Sequence, residues 1–240
     1  MKIPSFKSTL FKHTAIYTIT DGISKGLSFL TLPFISYYLI PEELGISANF
    51  DVLQNILMLL AGQAIVNAMP YFFYGKTHEE RSLIVSNLLG LIVASNVIFS
   101  VLIFFFSGMI ENYLHIGLLL QLLTTVSVVA HLLSSLNLVI YRLEEKPYAF
   151  GLLQILQTII YLVLLVLFVV VLKWNAIGKI YSVVIAFSVM ALIHLVLLMK
   201  RNYIVFKYSK EDCIKLLKFG LPLLPHSLSF WFKSGLDKVI

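Results

Sequence analysis

The sequence predicts an all-α, polytopic membrane helical bundle: six transmembrane helices plus the start of a seventh. Three observations carry that expectation. Of 240 residues, 59% are hydrophobic and only 12% charged, about half the charged share usual in soluble globular domains. Apolar runs of roughly 20 residues recur along the whole length, each enough to cross a ~30 Å hydrocarbon layer as a helix. Lys and Arg, finally, crowd into alternate connections between those runs, the signature that sets membrane orientation.

The runs place spans at residues 14–39, 49–73, 83–106, 117–140, 150–172 and 178–199, with a seventh beginning near Phe219 and continuing to Ile240. The first follows Lys2, Lys7 and Lys12, as a secretory signal would. It is too long for a signal core and shows no small-residue cleavage site, so it reads as a retained helix. The connections PEELG, YGKTHEER, SGMIENYLHI, YRLEEKPY and KWNA are short, which makes neighbouring helices antiparallel in an up-down arrangement. Three segments result: a six-helix lobe at 1–199, a basic amphipathic linker at 200–218, and the opening of a further lobe's first helix at 219–240.

Thirteen basic residues fall on the side of the N-terminus and the even-numbered connections, against Lys173 and Lys179 alone on the other. The rule that cytoplasmic loops carry the positive charge puts the N-terminus in the cytoplasm. The net charge of +6 is then a topological signal and requires no nucleic acid. In the linker, Ile214, Leu216, Leu217 and Phe219 oppose Lys210, Lys215 and Lys218, a pattern suited to lying on anionic membrane lipids. The terminal stretch PLLPHSLSFWFKSGLDKVI would leave charges and a carboxylate at membrane depth. Since that is costly, the expectation is that the chain is the first half of a longer transporter; the competing account is a last segment lying flat on the membrane.

Enzymatic signatures are absent. THEERS, residues 77–82, opens like a zinc-protease helix but has no second His at the required turn, and no phosphate-cradling GxxxxGK[ST] loop exists. The six histidines have no metal-ligand spacing, and Cys213 has no partner for a disulfide. The chain reads as neither an enzyme nor a metalloprotein.

Polarity within the spans is what remains. The first span holds Asp21 and Lys25, four residues apart and able to neutralise each other on one face. The second holds Asp51, Gln54, Asn55, Gln63 and Asn67, of which Asp51, Asn55, Gln63 and Asn67 share roughly one face as a polar stripe; the fourth holds His131 and Asn137; the fifth, Gln154 and Gln157. The seventh holds Lys233, Asp237 and Lys238, an echo of the Asp21–Lys25 spacing that fits the repeated halves of transporters. An ionisable group near mid-bilayer costs from ~3 kcal/mol upward and so faces a bundle interior or a watery cavity. Neutral amides also serve as interhelical glue, single histidines as packed core groups, and Asp51 as an exposed cap or a cavity group.

The N-terminal FKHTAIYTITDGISKGLSFLTLPFISYYLIPEELGI and the later FGLPLLPHSLSFWFKSGLDKVI resemble the oligosaccharide flippases of polysaccharide biosynthesis. These O-antigen and capsule repeat-unit exporters share a superfamily with lipid II flippases and multidrug and toxin extruders. The resemblance implies a two-lobed protein of the bacterial inner membrane, of which this chain is the N-terminal lobe and the first helix of the second. It implies an undecaprenyl-diphosphate-linked oligosaccharide as substrate, moved by alternating access, with polysaccharide polymerase machinery as a further partner. Lys25, Lys233, Lys238 and Asn55 would bind the substrate, the lysines as point charges for phosphate. Asp21 and Asp237 would pair those bases or carry a coupling H⁺ or Na⁺, with no other cofactor. The alternatives are a cation-coupled multidrug extruder, for which an acid-dominated cavity is expected, and a nonfunctional fragment; a membrane glycosyltransferase would need larger outer loops.

Orientation is directly testable. A cysteine placed at Glu43 should react with an impermeant thiol reagent from outside the cell, and one at Glu145 only after the membrane is opened; the reverse pattern would invert the topology.

Overall fold

The computed structural model describes residues 6–225 and Ser229. Lys233, Asp237 and Lys238, three of the sequence-derived site residues, lie outside the described residues. The apolar windows become long helices: α1 (Phe6–Tyr38), α2 (Pro41–Met58), the short α3 (Ala64–Asn67) and α4 (Met69–Phe73), α5 (His78–Leu114), α6 (Leu118–Leu143), α7 (Pro147–Leu165), α8 (Asn175–Lys200) and α9 (Lys210–Gly220). Among the described residues no strand is present.

Apart from α6, the long helices begin several residues earlier than hydropathy alone suggests, because capping chemistry rather than apolarity sets their ends. Most of PEELG belongs to α2: Pro41 supplies a preset φ at its first turn, and Glu43 accepts from the Ile40 amide at 3.2 Å. The THEER motif is a helix start. Thr77 Oγ1 accepts from the Glu80 amide at 3.3 Å while the Glu80 carboxylate accepts from the Thr77 amide at 2.8 Å, the reciprocal pairing that satisfies two orphan donors. His115, at φ 52°, ends α5 in the left-handed region.

Five segments are long and apolar enough to cross a membrane: Pro41–Phe73, His78–Leu114, Leu118–Leu143, Pro147–Val171 and Asn175–Lys200. That is one fewer than the six expected, the first being the one that does not qualify. Helix α1 has the length, 33 residues, but Asp21, Lys25 and its many Ser, Thr and Gly residues make it too polar to qualify beside them.

Helix α6 is the hub, packed against α8, α5 and α2, while α1 leans almost entirely on α7. Val128, Leu132, Leu136 and Ile140 of α6 are fully buried among side chains of α2 and α5. The α1–α7 contact is close because Gly151 has no side chain: a Cβ there would stand 2.9 Å from Thr20 Oγ1.

The second span is broken midway. Between α2 and α3 runs a π-helical turn, Leu59–Gln63, in which Gly62 takes φ 147°, a conformation that only glycine adopts without strain. A break at membrane depth frees backbone groups that need partners. Ser95 Oγ of α5 answers by donating to the Ala61 carbonyl at 2.7 Å.

Polar side chains lock both ends. At one end, His194 Nδ1 meets Asn137 Nδ2 at 2.8 Å, Arg201 donates to Asn137 Oδ1 at 3.3 Å and to Glu144, and Tyr203 Oη donates to Glu144 at 2.5 Å. Lys146 completes the cluster, 3.0 Å from Glu144. The connector that follows α8 is stitched to the start of α5: Ser82 Oγ donates to the Asn202 carbonyl, and the Val205 and Ser209 amides donate to Ser86 Oγ and Asn87 Oδ1. At the other end Lys179 of α8 sits 2.6 Å from Asp51 of α2 and donates to Ser47 Oγ at 3.1 Å.

Burial would raise the Glu144 carboxyl, but donation from Tyr203 and Lys146 and the charge of Arg201 outweigh it and hold it below the ordinary carboxylate range. A depressed folded-state value stabilises the fold above the unfolded value of about 4.3 and withdraws that stability as pH falls through the folded one. The thermal midpoint should therefore drop on acidification below pH ~4.3. In Glu144→Gln it should be lower already at pH 7, reflecting a stability loss of about 1–3 kcal/mol, and flatter across the acid range. An unchanged acid slope in that variant, read by thermal melting in detergent, would remove Glu144 from this role.

Candidate functional site

Helices α1, α2, α6, α7 and α8 surround a polar cleft of two chambers, about 390 Å³ and 280 Å³ in volume. The chambers share Ser28, His131, Gln157 and Thr158 in their walls, so they adjoin. The larger carries charge and the smaller does not.

Asp21, Lys25 and Arg142 line the larger chamber. The spacing of Asp21 and Lys25 puts them on one helix face, yet the carboxylate turns elsewhere. It accepts from Gln154 Nε2 at 2.9 Å and lies 3.8 Å from Arg142. Lys25 is solvent-exposed and, among the described residues, has no ion-pair partner. Arg142 is held from behind by aromatic rings, its guanidinium 4.7 Å from the centroid of Phe150 and 5.8 Å from that of Tyr17, within the range of cation–π attraction. Two cations and one shared acid leave this chamber electropositive.

The smaller chamber takes Gln54 and Asn55 from α2, Gln157, Thr158 and Tyr161 from α7, and His131 and Phe187 from α6 and α8. The His131 and Phe187 rings lie 4.6 Å apart with a 33° tilt. Of the polar stripe, Asn55 lines the smaller chamber, and Asn67 of α3, bonded to Gln63 at 3.1 Å, lines the larger one beyond the Gly62 break. Asp51 does not reach either chamber; it is engaged by Lys179. His194 is packed away in the network of Asn137 and Arg201.

Of the residues the sequence singled out, Asp21, Lys25 and Asn55 therefore come to one cleft, although Asp21 and Lys25 do not pair. Arg142 was counted among the loop bases and its place in the cleft missed. A signal was present: His131, Ser135, Leu138 and Arg142 stand at i, i+4, i+7 and i+11 on α6 and all line the larger chamber. Among the described residues no group of three or more His, Cys, Asp or Glu side chains could hold a metal ion.

No family model matches the chain, and no curated protein matches it. Solved structures do. A MATE transporter crystallised with MaD3S matches 93% of this chain at 19% identity and a TM-score of 0.73, over 54% of its own length. An outward-facing multidrug resistance MATE family transporter of the MOP superfamily matches 95% at 19% identity and 0.71, over 58% of its length. A MOP superfamily transporter from Pyrococcus furiosus, described as having a binding pocket of reverse polarity that suggests a different function, matches 91% at 20% identity and 0.61, over 50% of its length. The chain spans about half the length of these transporters. It has the fold of one lobe of such a protein, like the N-terminal one, and with its five apolar helices it is a multi-pass membrane protein.

The cleft is checked by accessibility. In a Cys213→Ser background, Lys25→Cys should react readily with a water-soluble thiol reagent. Thr20→Cys, 4% exposed beneath Gly151, should stay unmodified in the folded protein. Protection at position 25 would mean that no aqueous cleft reaches it.

Proposed function

We propose that the chain is the lipid-headgroup-binding lobe of a flippase for undecaprenyl-diphosphate-linked oligosaccharide, working by alternating access with a second lobe. The observation that carries this reading is the electropositive chamber, where Lys25 is unpaired among the described residues and Arg142 is pinned by Phe150 and Asp21. A diphosphate must shed much of its hydration to cross a low-dielectric region, and cations placed in its path compensate that loss. Arg142 offers a planar fork for phosphate oxygens and Lys25 a mobile point charge.

The multidrug reading fits the cleft less well. A cationic drug calls for uncommitted carboxylates, whereas Asp21 is shared between Gln154 and Arg142 and Asp51 is held by Lys179. The reverse-polarity pocket of the P. furiosus transporter supports the view that this fold accommodates pockets of either sign. The bacterial inner membrane and a cytoplasmic N-terminus belong to the same proposal, as does H⁺ or Na⁺ coupling through Asp21.

The complete reading frame, expressed in a strain lacking its own repeat-unit flippase, should restore surface polysaccharide. Lys25→Ala and Arg142→Ala should each cut that restoration by roughly tenfold or more, the worth of a charged hydrogen bond at 1.5–3 kcal/mol. Drug tolerance should not change. Full restoration by the double variant, at matched membrane abundance, would sink the proposal.

A further inference from the structure

Hydrogen-bond bookkeeping separates the amide side chains of this bundle into two groups. Most are spent on structure. Asn49 donates to the Leu114 carbonyl at 2.8 Å, Asn96 to Ile92 at 2.8 Å, Gln121 to Ser107 and Ile116, and Gln154 to Asp21. Gln54, Asn55 and Gln157 make no side-chain hydrogen bond among the described residues, and the Gln157 Oε1 is buried as well. All three line the smaller chamber.

The buried Gln157 Oε1 lacks a partner, which is costly for a polar atom away from water, and Gln54 and Asn55 open onto the same cavity, so the three define a site suited to a polar occupant. Its chemistry is specific. No charged side chain lines the chamber, which argues against an ionic group there. Each amide offers donors and an acceptor, and Thr31 and Thr158 spend their hydroxyl protons on the Ser28 and Gln154 carbonyls, leaving lone pairs that accept. Tyr161 and the tilted His131–Phe187 pair add ring surface. Mixed donors and acceptors beside aromatic faces match a neutral pyranose, which carries hydroxyl or acetamido groups on its rim and C–H groups on its face.

We infer that the smaller chamber, built by Gln54, Asn55, Gln157 and Thr158 against Tyr161 and Phe187, is a saccharide subsite that takes the first neutral sugar beyond the diphosphate. It rests on the headgroup reading of the larger chamber, with which it shares Gln157 and Thr158. The volume of about 280 Å³ stands at the low end for ligand pockets, so one sugar ring, not a whole repeat unit, is accommodated.

The test compares two probes on the purified full-length protein in nanodiscs: undecaprenyl diphosphate, and the same lipid bearing one N-acetylglucosamine. Wild type should bind the glycosylated lipid more tightly. Asn55→Leu and the near-isosteric Gln54→Met, at positions that line the smaller chamber alone, should each lose about 5- to 160-fold in affinity for it, the span expected when a polar partner worth 1–3 kcal/mol is removed. Their affinity for the bare lipid should stay within about twofold, a control that also reports folding. Lys25→Ala should weaken both lipids together. Equal affinity of wild type for the two probes, or equal losses on both in the amide variants, would overturn the subsite while leaving the headgroup reading intact. Failure of wild type to bind either lipid would overturn both.

Discussion

Every polar group at membrane depth must be satisfied inside the protein or face water, and the whole bundle is organised around that requirement. It explains why the helices carry their amides and hydroxyls inward and why Phe104, Phe105, Val97 and Ile98 of α5 stay exposed: they face lipid. It also explains the Gly62 break. Interrupting α2 would be prohibitive in hydrocarbon, but the freed Ala61 carbonyl is met at once by Ser95, and Gly62 packs closely enough that a Cβ would stand 3.3 Å from Ile92. The break in turn redirects α3, so that Asn55 and Asn67 line successive chambers of one cleft.

The same requirement divides the molecule into a stiff frame and a receptive surface. The Glu144 cluster, the stitched connector and the Lys179–Asp51 pair spend their polar atoms on one another and join α2, α5, α6 and α8 into one body. The cleft residues do the opposite, with Lys25, Asn55, Gln54 and Gln157 left open toward the cavity. Helix α1, too polar to be an unambiguous span, is tolerable in a membrane because its polar residues face this cleft and its other side rests on α7, where Gly151 permits close approach to Thr20.

Fold class was legible because it depends on composition and on apolar runs of spanning length, which any membrane bundle must have. The ends of the helices were misjudged where local chemistry overrides hydropathy, as at Thr77–Glu80 and Pro41, and the first span differs from the other five in carrying too many polar residues to stand out by apolarity. Asp21, Lys25 and Asn55 announced themselves as costly in an apolar setting. Their partners did not, since Gln154 and Arg142 reach Asp21 from 133 positions away in the first case and from another helix in the second. Arg142 was hidden for a further reason: an arginine at a helix end counts equally well as a topological charge, and only the face it shares with His131 and Ser135 distinguishes the two.

For the anionic cargo proposed, the two cations of the larger chamber divide the task by their chemistry. Arg142 is oriented by the rings of Phe150 and Tyr17 and by the Asp21 carboxylate while its side chain stays half exposed, so less entropy is lost when a phosphate binds it than for a lysine with no such contacts. That orientation has a cost, because a carboxylate 3.8 Å away already shares its charge. Lys25 has the complementary properties: it is exposed, flexible and uncommitted among the described residues, able to follow a headgroup as it moves. A site made only of fixed cations would hold a diphosphate too well to release it, and one made only of mobile lysines would orient it poorly. Pairing one of each gives capture with orientation and leaves dissociation accessible, which is what a carrier, unlike a storage site, must balance.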